Sequence, residues 1–508
     1  MTTAGHGMTP AAAMALPELL AGLTPGPVPP LAVTALASDS RRVVPGALFC
    51  AVKGLEHHGM AFVAEARRAG AVAVAFEPPW STPLPEGLPA FPVAQLGRRL
   101  CAIAERFYHF PSRALSLVGV TGTDGKTSCT HFLAQALSYP GSFEAPPAGV
   151  LGTLGYGTLG HLEPASHTTP DALTTVEHLA RLRRGGARAV AMEVSSHALD
   201  QGRVDGLTFA GAVLTHVSRD HLDYHGTLAN YAAAKGRLFL DLAPGFVVLN
   251  GDDTWGSQWA KRAAARVIRY GLQCPPEPGS GGGETLVASR VAATPQGLHL
   301  DVVAPWGTGT LQLPLWGRFN AYNVLAVLGA LGALGAPWPE ALERVAALKP
   351  VPGRMEHWGG GQAAPVAVVD YAHTPHALGQ ALEALRHHRP RRLWCVFGAG
   401  GERDRGKRPR MGATAERFAD GLVITNDNPR GEDPAAIAAE IRAGLQRPEA
   451  AAVILDRRRA IHYALERDRP GDIVLVAGKG HETEQQQGLQ RLPFSDRDVV
   501  SAWLGGRC

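Results

Sequence analysis

Residues Gly119 to Phe132, which read GVTGTDGKTSCTHF, decide the fold of this chain. The apolar run LSLVGV leads into them and the segment KTSCTHFLAQAL leads out, which predicts a buried strand, a glycine-rich turn and a helix. Backbone N–H groups and the helix dipole can hold phosphates at such a turn. Lys126 would reach the terminal phosphates, and the Thr127 hydroxyl would serve a magnesium ion. The stretch therefore predicts a nucleotide-binding α/β domain.

The glycines of this turn are spaced differently from those of the usual phosphate loop. Val120 stands where that loop has its first glycine, and glycines fall instead at Gly119 and Gly122. A glycine-rich turn that binds no ligand is the alternative interpretation. Because GKT opens the predicted helix, the sequence favours a compact variant of the phosphate loop.

Strand-like and helical segments alternate on both sides of this stretch. ARAVAMEV, FAGAVLTHV and GFVVLN follow it, and the alternation restarts later with PVAVVDYA, RRLWCVF, GLVIT, AAVIL and DIVLVAG. This pattern predicts parallel sheets covered by helices. Breaks at PSRALS and ALKPVPGR predict three α/β domains, and CPPEPGSGGGE predicts a loop. The domains are a small N-terminal one (residues 1–112), a central P-loop ATPase-like one with a mainly parallel sheet (113–349), and a Rossmann-like C-terminal one (350–508).

The composition narrows the class of protein. A chain of 508 residues is too long for one core. The net charge of +4 gives no support for a nucleic-acid partner. The six cysteines show no CxxC pair, which favours reduced thiols. The N-terminus lacks the pattern of a signal peptide, and no apolar run is long enough to span a bilayer. We therefore expect a cytoplasmic protein without membrane insertion.

Polar residues follow other predicted strands of the central domain. MEVSSHALDQGRV ends a strand with Glu193, where a second magnesium ligand is needed, and SRDHLDYHG places Asp220, His221 and Asp223 in a further loop. Taken singly, such loop residues are usually solvated. Loops at the carboxyl ends of neighbouring parallel strands meet in one crevice, so we expect these residues to converge on the phosphate loop.

A series of motifs then occurs in one order along the chain: TGTDGKTS, MEVSSHALDQGRV, SRDHLDYHGTLANYAAAK, GRFNAYNVLAV, GRME, DYAHTP, GGERDRGKRP, DNPR and GKGHE. In these motifs and their order the chain resembles the Mur ligases, from about Ser38 to Asp496. Within that family it is similar to the ligases that add the third residue of the peptidoglycan stem peptide.

The resemblance implies an ATP-dependent ligase that adds meso-diaminopimelate to UDP-N-acetylmuramoyl-L-alanyl-D-glutamate in peptidoglycan precursor synthesis. The reaction would pass through an acyl phosphate, and the enzyme would act as a monomer. The cofactors implied are ATP, two Mg²⁺ ions and a carbamylated Lys235. As an alternative, an unmodified Lys235 would be an ordinary surface lysine of a helix.

The resemblance also assigns nucleotide and metal residues by position. Lys126, Glu193, His221 and Lys235 would be the catalytic group, and Thr127, Glu193, His221 and Lys235 would hold the metal. Asn320 is expected to brace a turn. The residues implied for ATP are Gly122, Thr123, Asp124, Gly125, Lys126, Thr127, Ser128, Asn323 near the adenine, and Arg354 and Asp370 near the phosphates and ribose.

Two regions would bind the UDP-linked substrate. SDSRRVVPGALFCAVKG places Ser38 and Ser40 at the uridine diphosphate, although DSR is otherwise a turn signal. The sugar-peptide contacts implied are Thr168, Thr169, Ser195, Gln201 and Arg203. Without the resemblance, Thr168 and Thr169 would be N-caps of the helix ALTTVEHLARL.

The acceptor would be read by the C-terminal domain. DNPR is the form associated with meso-diaminopimelate, whose second carboxylate an arginine can grip through two parallel hydrogen bonds. The residues implied are Arg403, Asp427, Asn428, Pro429, Arg430, Gly478 and Glu482. The alternative is that Arg430 pairs with Glu432 or Asp433 on the surface.

Some positions depart from the family pattern, and other functions remain to be weighed. His216 stands where the family usually has asparagine, close to the expected magnesium loop. The rival enzymes are the lysine-adding counterpart, the ligase that adds D-Ala-D-Ala, and folylpolyglutamate synthetase. DNPR argues against the first, and DSR with GGERDRGK argues against the others. A nucleotide-binding scaffold without catalysis is disfavoured because the catalytic set is intact.

Overall fold

The computed structural model describes residues 13–54, 57–84, 86–139, 147–274, 284–294, 296–359 and 365–505. These residues form two compact units, one ending at Arg269 and the other beginning at Tyr270. The division into three domains at residues 112 and 349 stays a prediction. The loop predicted from Cys274 to Glu284 lies, apart from its two end residues, outside the described residues.

The first unit contains two sheets built mainly of parallel strands, one short antiparallel strand pair (β1 and β2), and the helices around them. Its strands are β1 (Met14–Ala15), β2 (Ala32–Val33), β3 (Ala35–Ala37), β4 (Ala47–Ala51), β5 (Ala73–Phe76), β6 (Ala90–Pro92), β7 (Ser116–Thr121), β8 (Gly149–Gly152), β9 (Gly155–Thr158), β10 (His161–Glu163), β11 (Ala189–Glu193), β12 (Gly211–Leu214) and β13 (Phe246–Asn250), and β14 (Arg266–Gly271) crosses the boundary. Its α-helices are α1 (Leu16–Leu19), α2 (Val63–Arg68), α3 (Leu96–Phe107), α4 (Lys126–Leu137), α5 (Ala172–Arg184), α6 (Ser196–Asp200), α7 (Leu222–His225), α8 (Leu228–Leu240) and α9 (Thr254–Ala260).

The larger sheet of this unit places β7 at its centre. The strand order is β10-β9-β8-β11-β7-β12-β13, and β8, β11, β7, β12 and β13 run parallel. The strands predicted from LSLVGV, ARAVAMEV, FAGAVLTHV and GFVVLN are confirmed as β7, β11, β12 and β13. The antiparallel strands β9 and β10 were not predicted. Because β11 and β12 flank β7, the loops after these three strands meet at one edge of the sheet.

The smaller sheet, in the order β3-β4-β5-β6, is also parallel. Helix α3 buries Leu96, Leu100, Ile103 and Phe107, a spacing that lines one helical face. These side chains join the apolar core that continues beneath β7 and α5. Helix α3 therefore shares one apolar core with both sheets of this unit.

The second unit combines an antiparallel meander with a six-stranded sheet that has helices on both faces. Its strands are β15 (Glu284–Thr294), β16 (Gly297–Ala304), β17 (Gly307–Leu313), β18 (Glu356–Gly359), β19 (Val366–Asp370), β20 (Leu393–Phe397), β21 (Gly421–Ile424), β22 (Ala451–Val453), β23 (Ile473–Ala477), β24 (Glu484–Gln487) and β25 (Gln490–Pro493). Its α-helices are α10 (Phe319–Ala333), α11 (Trp338–Ala346), α12 (Pro375–Arg386), α13 (Lys407–Phe418), α14 (Pro434–Arg442), α15 (Arg457–Arg467) and α16 (Asp496–Gly505).

The six-stranded sheet of this unit has the order β18-β19-β23-β20-β21-β22, parallel except for β18. One apolar cluster joins it to α12, α13 and α14, and a second joins its other face to α15 and α16. This confirms the predicted Rossmann-like arrangement. The meander β15-β16-β17 was not predicted. Within the described residues, no helix is long and apolar enough to cross a bilayer.

A buried ion pair fastens the carboxyl edge of this sheet. Arg457 donates to both oxygens of Asp496 at 2.7 Å, and neither side chain is exposed to solvent. The same guanidinium donates to the carbonyls of Asn426 and Ala477, at 3.0 and 2.8 Å. It therefore joins the chain after β21 to the end of β23, where DNPR and GKGHE begin.

We expect Asp496→Ala to destabilise the second unit by about 3–5 kcal/mol, because it leaves the Arg457 guanidinium buried without a counter-charge. Arg491→Ala is the matched control, since its ion pair with Glu484 is exposed and should contribute within about 1 kcal/mol. Urea unfolding followed by fluorescence measures both variants. Equal losses of unfolding free energy in the two variants would show that the buried ion pair stabilises the unit no more than the exposed one.

Candidate functional site

The phosphate loop lies between β7 and α4, as predicted. Gly122 (φ 152°) and Gly125 (φ 81°) adopt conformations that side chains disfavour. A Cβ at Gly122 would lie 1.8 Å from the Thr215 hydroxyl, so a side chain there has no room. The Lys126 ammonium donates to the carbonyls of Gly122 and Thr123, each at 2.8 Å. The loop therefore has the backbone cradle and the cation that a polyphosphate requires.

Glu193 brings a buried carboxylate to this loop from the end of β11. It accepts a hydrogen bond from the Thr127 hydroxyl at 3.1 Å and from the Thr153 N–H at 2.8 Å. A Cβ at Gly152 would lie 2.4 Å from its Oε1, so glycine is needed there as well. A hydroxyl and a carboxylate are the hard oxygen donors that Mg²⁺ prefers, and the pair fits the predicted metal.

Lys235 is a buried residue of α8 and not the surface lysine of the alternative interpretation. Its side chain is 1% exposed, and its Nζ donates to the Gly122 carbonyl at 2.7 Å and lies 4.5 Å from the centre of the Tyr231 ring. Burial first, and then the charge of Lys126, hold its pKa well below the ordinary value of a lysine. The uncharged amine is the form that can add CO₂, which fits the predicted carbamate.

The loop after β12 reaches the same edge. Thr215 donates its hydroxyl to the Asp124 carbonyl at 2.7 Å, and Thr123 donates its N–H to the His216 carbonyl at 2.7 Å. The unusual His216 thus supports the loop through its backbone, while its ring nitrogen lies 3.5 Å from Asp124. His221 adopts a positive φ of 50° and lies 3.4 Å from the Asp220 carboxylate.

The metal set is assembled only in part. Thr127 and Glu193 are in contact, whereas Lys235 and His221 are linked to each other through Tyr231, whose ring centre lies 6.2 Å from that of His221. In the part of the chain that the structure describes, no three His, Cys, Asp or Glu side chains gather as metal ligands.

The predicted sugar-peptide residues lie against the backbone of Glu193. The Thr169 hydroxyl donates to the Glu193 carbonyl at 2.8 Å and accepts from the Ser195 N–H at 3.0 Å. Arg203 donates to the Thr169 carbonyl at 3.1 Å and to the amide oxygen of Gln201 at 2.6 Å.

Neither threonine caps the following helix. Thr168 faces the Thr153 hydroxyl at 3.1 Å, and Thr169 is bound at Glu193. Asp171 is the N-cap of α5, with its carboxylate accepting from the Thr174 N–H at 3.0 Å. The N-cap interpretation of Thr168 and Thr169 is therefore wrong, because a carboxylate nearer to the helix takes that position.

The DSR motif forms a turn beside the smaller sheet. Asp39 caps a short 3₁₀ turn by accepting from the Arg41 N–H at 3.0 Å, which confirms the turn signal. The buried Ser40 donates to Glu65 at 2.7 Å, and Ser38 stands half-buried before the turn. The uridine diphosphate contacts of Ser38 and Ser40 stay a prediction.

In the second unit, the residues predicted for the nucleotide are held by hydrogen bonds and by one cation–π contact. Asn323 donates to the Asn320 amide oxygen at 2.9 Å, and Asn320 donates to the Trp316 carbonyl at 2.7 Å, which confirms Asn320 as a turn brace. Arg354 stacks 4.6 Å from the centre of the Tyr371 ring.

Asp370 ends β19 and accepts from the backbone N–H groups of Met355 and Ala372, at 2.8 and 2.9 Å. Burial raises the pKa of its carboxyl above the ordinary value, and the charge of Arg354 opposes that shift. The two hydrogen bonds hold the carboxylate in one orientation.

Arg430 is held by backbone and not by the neighbouring acids. Its guanidinium donates to the Gly401 carbonyl at 2.7 Å, and its own backbone adopts φ 52°. Glu432 instead pairs with both guanidinium nitrogens of the buried Arg408 at 2.9 Å, and Asp433 caps α14. The alternative that Arg430 pairs with one of these acids on the surface is therefore wrong, because the Glu432 carboxylate is paired with Arg408 and Asp433 is a helix cap.

Arg403 belongs to the same loop as Gly401 but remains exposed. Among the described residues it has no hydrogen-bond or ion-pair partner. Arg403 and Arg430 lie in loops that follow the neighbouring strands β20 and β21. Only Arg430 is fixed in place.

DNPR and GKGHE meet at the end of β23. Asn428 donates to Glu482 at 2.8 Å, and Gly478 (φ 119°) passes so close to Asp427 that a Cβ would lie 2.5 Å from its carboxylate. Pro429 continues the turn towards Arg430. A cavity of about 230 Å³ opens beside these residues, lined by Asn428, Glu482, Thr483, Glu484, Gln486 and Arg491.

Several residues of these sites were not predicted. Thr153 binds Glu193 from the unpredicted hairpin β8-β9, and Tyr231 links Lys235 to the phosphate loop through its hydroxyl at 3.2 Å from Thr123. Arg408 and Lys479 are fully buried cations within quoted motifs. Arg408 lies in the first turn of α13 and Lys479 between two glycines of a turn, and neither position indicates burial from the sequence alone.

Comparison with known proteins agrees with this geometry. The description "Mur ligase family, catalytic domain" matches residues 32–107, "Mur ligase middle domain" matches 120–331, and "Mur ligase, glutamate ligase domain" matches 353–480. A solved structure titled UDP-N-acetylmuramoyl-L-alanyl-D-glutamate–2,6-diaminopimelate ligase superposes with a TM-score of 0.72 at 32% identity, over 97% of this chain and 99% of that one. A more distant Acinetobacter baumannii MurF structure, at 16% identity and a TM-score of 0.63, shares the fold over 94% of this chain and 98% of its own.

Relatives with closely similar sequences carry that same ligase name. The protein of Alkalilimnicola ehrlichii is 50% identical over 484 residues, which cover 93% of this chain and 95% of the relative. The protein of Coxiella burnetii is 46% identical over 469 residues, or 91% of this chain and 94% of the relative. With the phosphate loop, the buried lysine and the DNPR turn in the places described, the chain belongs to the Mur ligase family.

Proposed function

We propose that this protein is the ATP-dependent ligase that adds meso-diaminopimelate to UDP-N-acetylmuramoyl-L-alanyl-D-glutamate. Relatives at 44–50% identity bear the name of that reaction. The observation that carries the choice of acceptor is the Arg430 guanidinium, which is held at the Gly401 carbonyl and not paired with Glu432. It is thereby available to a carboxylate of the substrate.

Charge neutralisation is the main task of the first unit. The substrate carboxylate must approach the γ-phosphate of ATP, and two such charges 4 Å apart repel by roughly 4 kcal/mol at an effective dielectric of about 20. Lys126 places its ammonium inside the phosphate loop, and two Mg²⁺ ions, when bound, would supply the remaining positive charge. ATP with Mg²⁺ supplies the phosphoryl group that activates the carboxylate as an acyl phosphate.

The protein residues position the reacting groups. Thr127 and Glu193 form the oxygen pair that would hold one Mg²⁺, and His221 with a carbamylated Lys235 is proposed for the second. A carbamate would convert the Lys235 amine into a carboxylate-like ligand without moving its helix. The incoming amine is itself the nucleophile, so no serine or cysteine nucleophile is required.

The contacts to the UDP-linked substrate belong to the same proposal. Ser38 and Ser40 would meet the uridine diphosphate, and the residues around Thr169 would hold the sugar-peptide beside Glu193. Asn323, Arg354 and Asp370 are proposed for the adenine, phosphates and ribose. Location in the cytoplasm and a monomeric state remain predictions from the sequence.

Recognition of the acceptor depends on its second carboxylate. A guanidinium binds such a group through two parallel hydrogen bonds, and each charged bond contributes about 1.5–3 kcal/mol. Lysine lacks that carboxylate, so its binding would remove water from the Arg430 guanidinium without giving it a carboxylate partner. Two or three such contacts give selectivity on the order of 10³.

With ATP, Mg²⁺ and the UDP-linked dipeptide, we expect phosphate release to depend on an added amino acid, and meso-diaminopimelate to be preferred over lysine by about 10³ in kcat/KM. Phosphate release and product mass measure this preference. Equal rates with the two amino acids would contradict the proposed acceptor.

A second variant tests the arginine itself. Arg430→Gln should raise the KM for meso-diaminopimelate by about 10- to 100-fold, because it removes charged hydrogen bonds. Arg410→Gln, which changes an exposed arginine of α13, is the control and should leave that KM unchanged. A normal KM in Arg430→Gln would place the carboxylate elsewhere.

We expect Lys235→Ala to lose nearly all turnover, because it removes the ligand that a carbamate would provide. Acetate or another short carboxylic acid should restore part of the activity by supplying the missing oxygens. Lys261→Ala, at an exposed lysine after α9, is the matched control and should be fully active without acid. Full activity of Lys235→Ala would remove this residue from the site, and absence of rescue would argue against the carbamate.

A further inference from the structure

Lys479 is a fully buried lysine in the turn that follows β23. The turn bends through Gly478 (φ 119°) and Gly480 (φ 53°), which directs the side chain between them away from solvent. Its Nζ donates to the Asn428 amide oxygen at 3.0 Å and to Glu482 Oε2 at 2.8 Å. Within the described residues the Lys479 ammonium has no other hydrogen-bond partner. Both partners are residues predicted to contact the acceptor.

These contacts fix which end of the Asn428 amide faces which neighbour. Its oxygen accepts from the Lys479 ammonium and from the Gln486 N–H, each at 3.0 Å. Both of those groups are donors only, so neither can face the amide NH₂. The NH₂ group must therefore point towards Glu482, where it donates at 2.8 Å.

The same contacts orient the Glu482 carboxylate. Its Oε2 accepts from both Lys479 and Asn428, whereas its Oε1 has no donor among the residues that the structure describes. Both Asn428 and Glu482 line the cavity of about 230 Å³. One carboxylate oxygen is therefore left for a ligand, and an ammonium group is the donor that would satisfy its charge.

We infer that Lys479 is a positioning residue that determines specificity for the acceptor: it fixes Asn428 and Glu482 so that the site accepts an ammonium-bearing end group. This inference rests on the proposed function and deepens it. Arg430 recognises a carboxylate, and the Lys479–Asn428–Glu482 cluster recognises the ammonium on the same end of diaminopimelate. Without the Lys479 charge, the Asn428 oxygen keeps only the Gln486 N–H as a donor, and the Glu482 carboxylate can turn away from the acceptor.

A role confined to stability would affect all substrates alike, and this separates the two explanations. Lys479→Met keeps an unbranched side chain, shorter by one atom, and removes its charge. We expect its KM for meso-diaminopimelate to rise about 10- to 100-fold, which is the effect of losing one charged hydrogen bond. The KM for ATP at saturating acceptor should stay within about threefold of the wild-type value, since none of the residues proposed for ATP belongs to this cluster.

Arg391→Met is the matched control. Arg391 donates to the buried Asp472 at 2.6 Å, just before β23 begins, and Lys479 lies just after that strand ends. The control therefore removes a cation with a buried partner at the opposite end of the same strand. It should leave the KM for meso-diaminopimelate unchanged.

The double variant Lys479→Met/Glu482→Gln covers the case in which the single variant does not fold, because it leaves no buried charge unpaired. We expect its KM for meso-diaminopimelate to be raised no more than that of Glu482→Gln alone, since the two residues act as one unit. A wild-type KM in Lys479→Met or in the double variant would overturn the inference, as would additive effects. If the wild-type protein itself does not use meso-diaminopimelate, the proposed function fails instead.

Discussion

The buried carboxylate of Glu193 is the group on which the first unit depends. A carboxylate removed from water must be compensated by hydrogen bonds or by a cation. Thr127 supplies one of those bonds from the first turn of α4, and Thr153 supplies the other from the turn after β8. The need to satisfy one charge therefore holds the phosphate loop, the β8–β9 turn and the end of β11 together. The carbonyl of the same residue accepts a hydrogen bond from the Thr169 hydroxyl, so one residue joins the predicted sugar-peptide contacts to the predicted metal site.

Buried cations perform the corresponding task in the second unit. Arg457, Arg408 and Lys479 have no exposed side-chain surface, and each joins loops that follow different strands. A buried charge left alone costs several kcal/mol, so each of these loops has one strongly preferred arrangement. Arg408 also captures Glu432, which would otherwise neutralise Arg430. The Arg408–Glu432 ion pair therefore leaves the Arg430 guanidinium without a carboxylate partner among the described residues.

The sequence predicted the parallel strands and the loops after them because apolar runs and glycine turns are local signals. Lys235 shows where such signals end, since YAAAK gives no indication of which helical face is buried, and its burial arises from packing over β7. Thr153 was missed because its hairpin is short and glycine-rich, without the alternation that marks a strand. The N-cap assigned to Thr168 and Thr169 failed for a related reason: Asp171, two residues further on, satisfies the same N–H groups. The sequence correctly predicted a polar side chain at the helix N-terminus, but the structure places Asp171 there and not either threonine.

The two candidate arginines of the acceptor site are not equivalent in physical terms. Arg430 is already fixed by its bond to the Gly401 carbonyl, whereas Arg403 is exposed and lacks a partner among the described residues. A free arginine side chain carries about 2 kcal/mol of rotamer entropy, which binding must offset. Arg430, Asn428 and Glu482 have been ordered by folding, so contacts to them lose little of their free energy to ordering. Under the proposed function, contacts of the acceptor with these three residues therefore cost less side-chain entropy than a contact with Arg403.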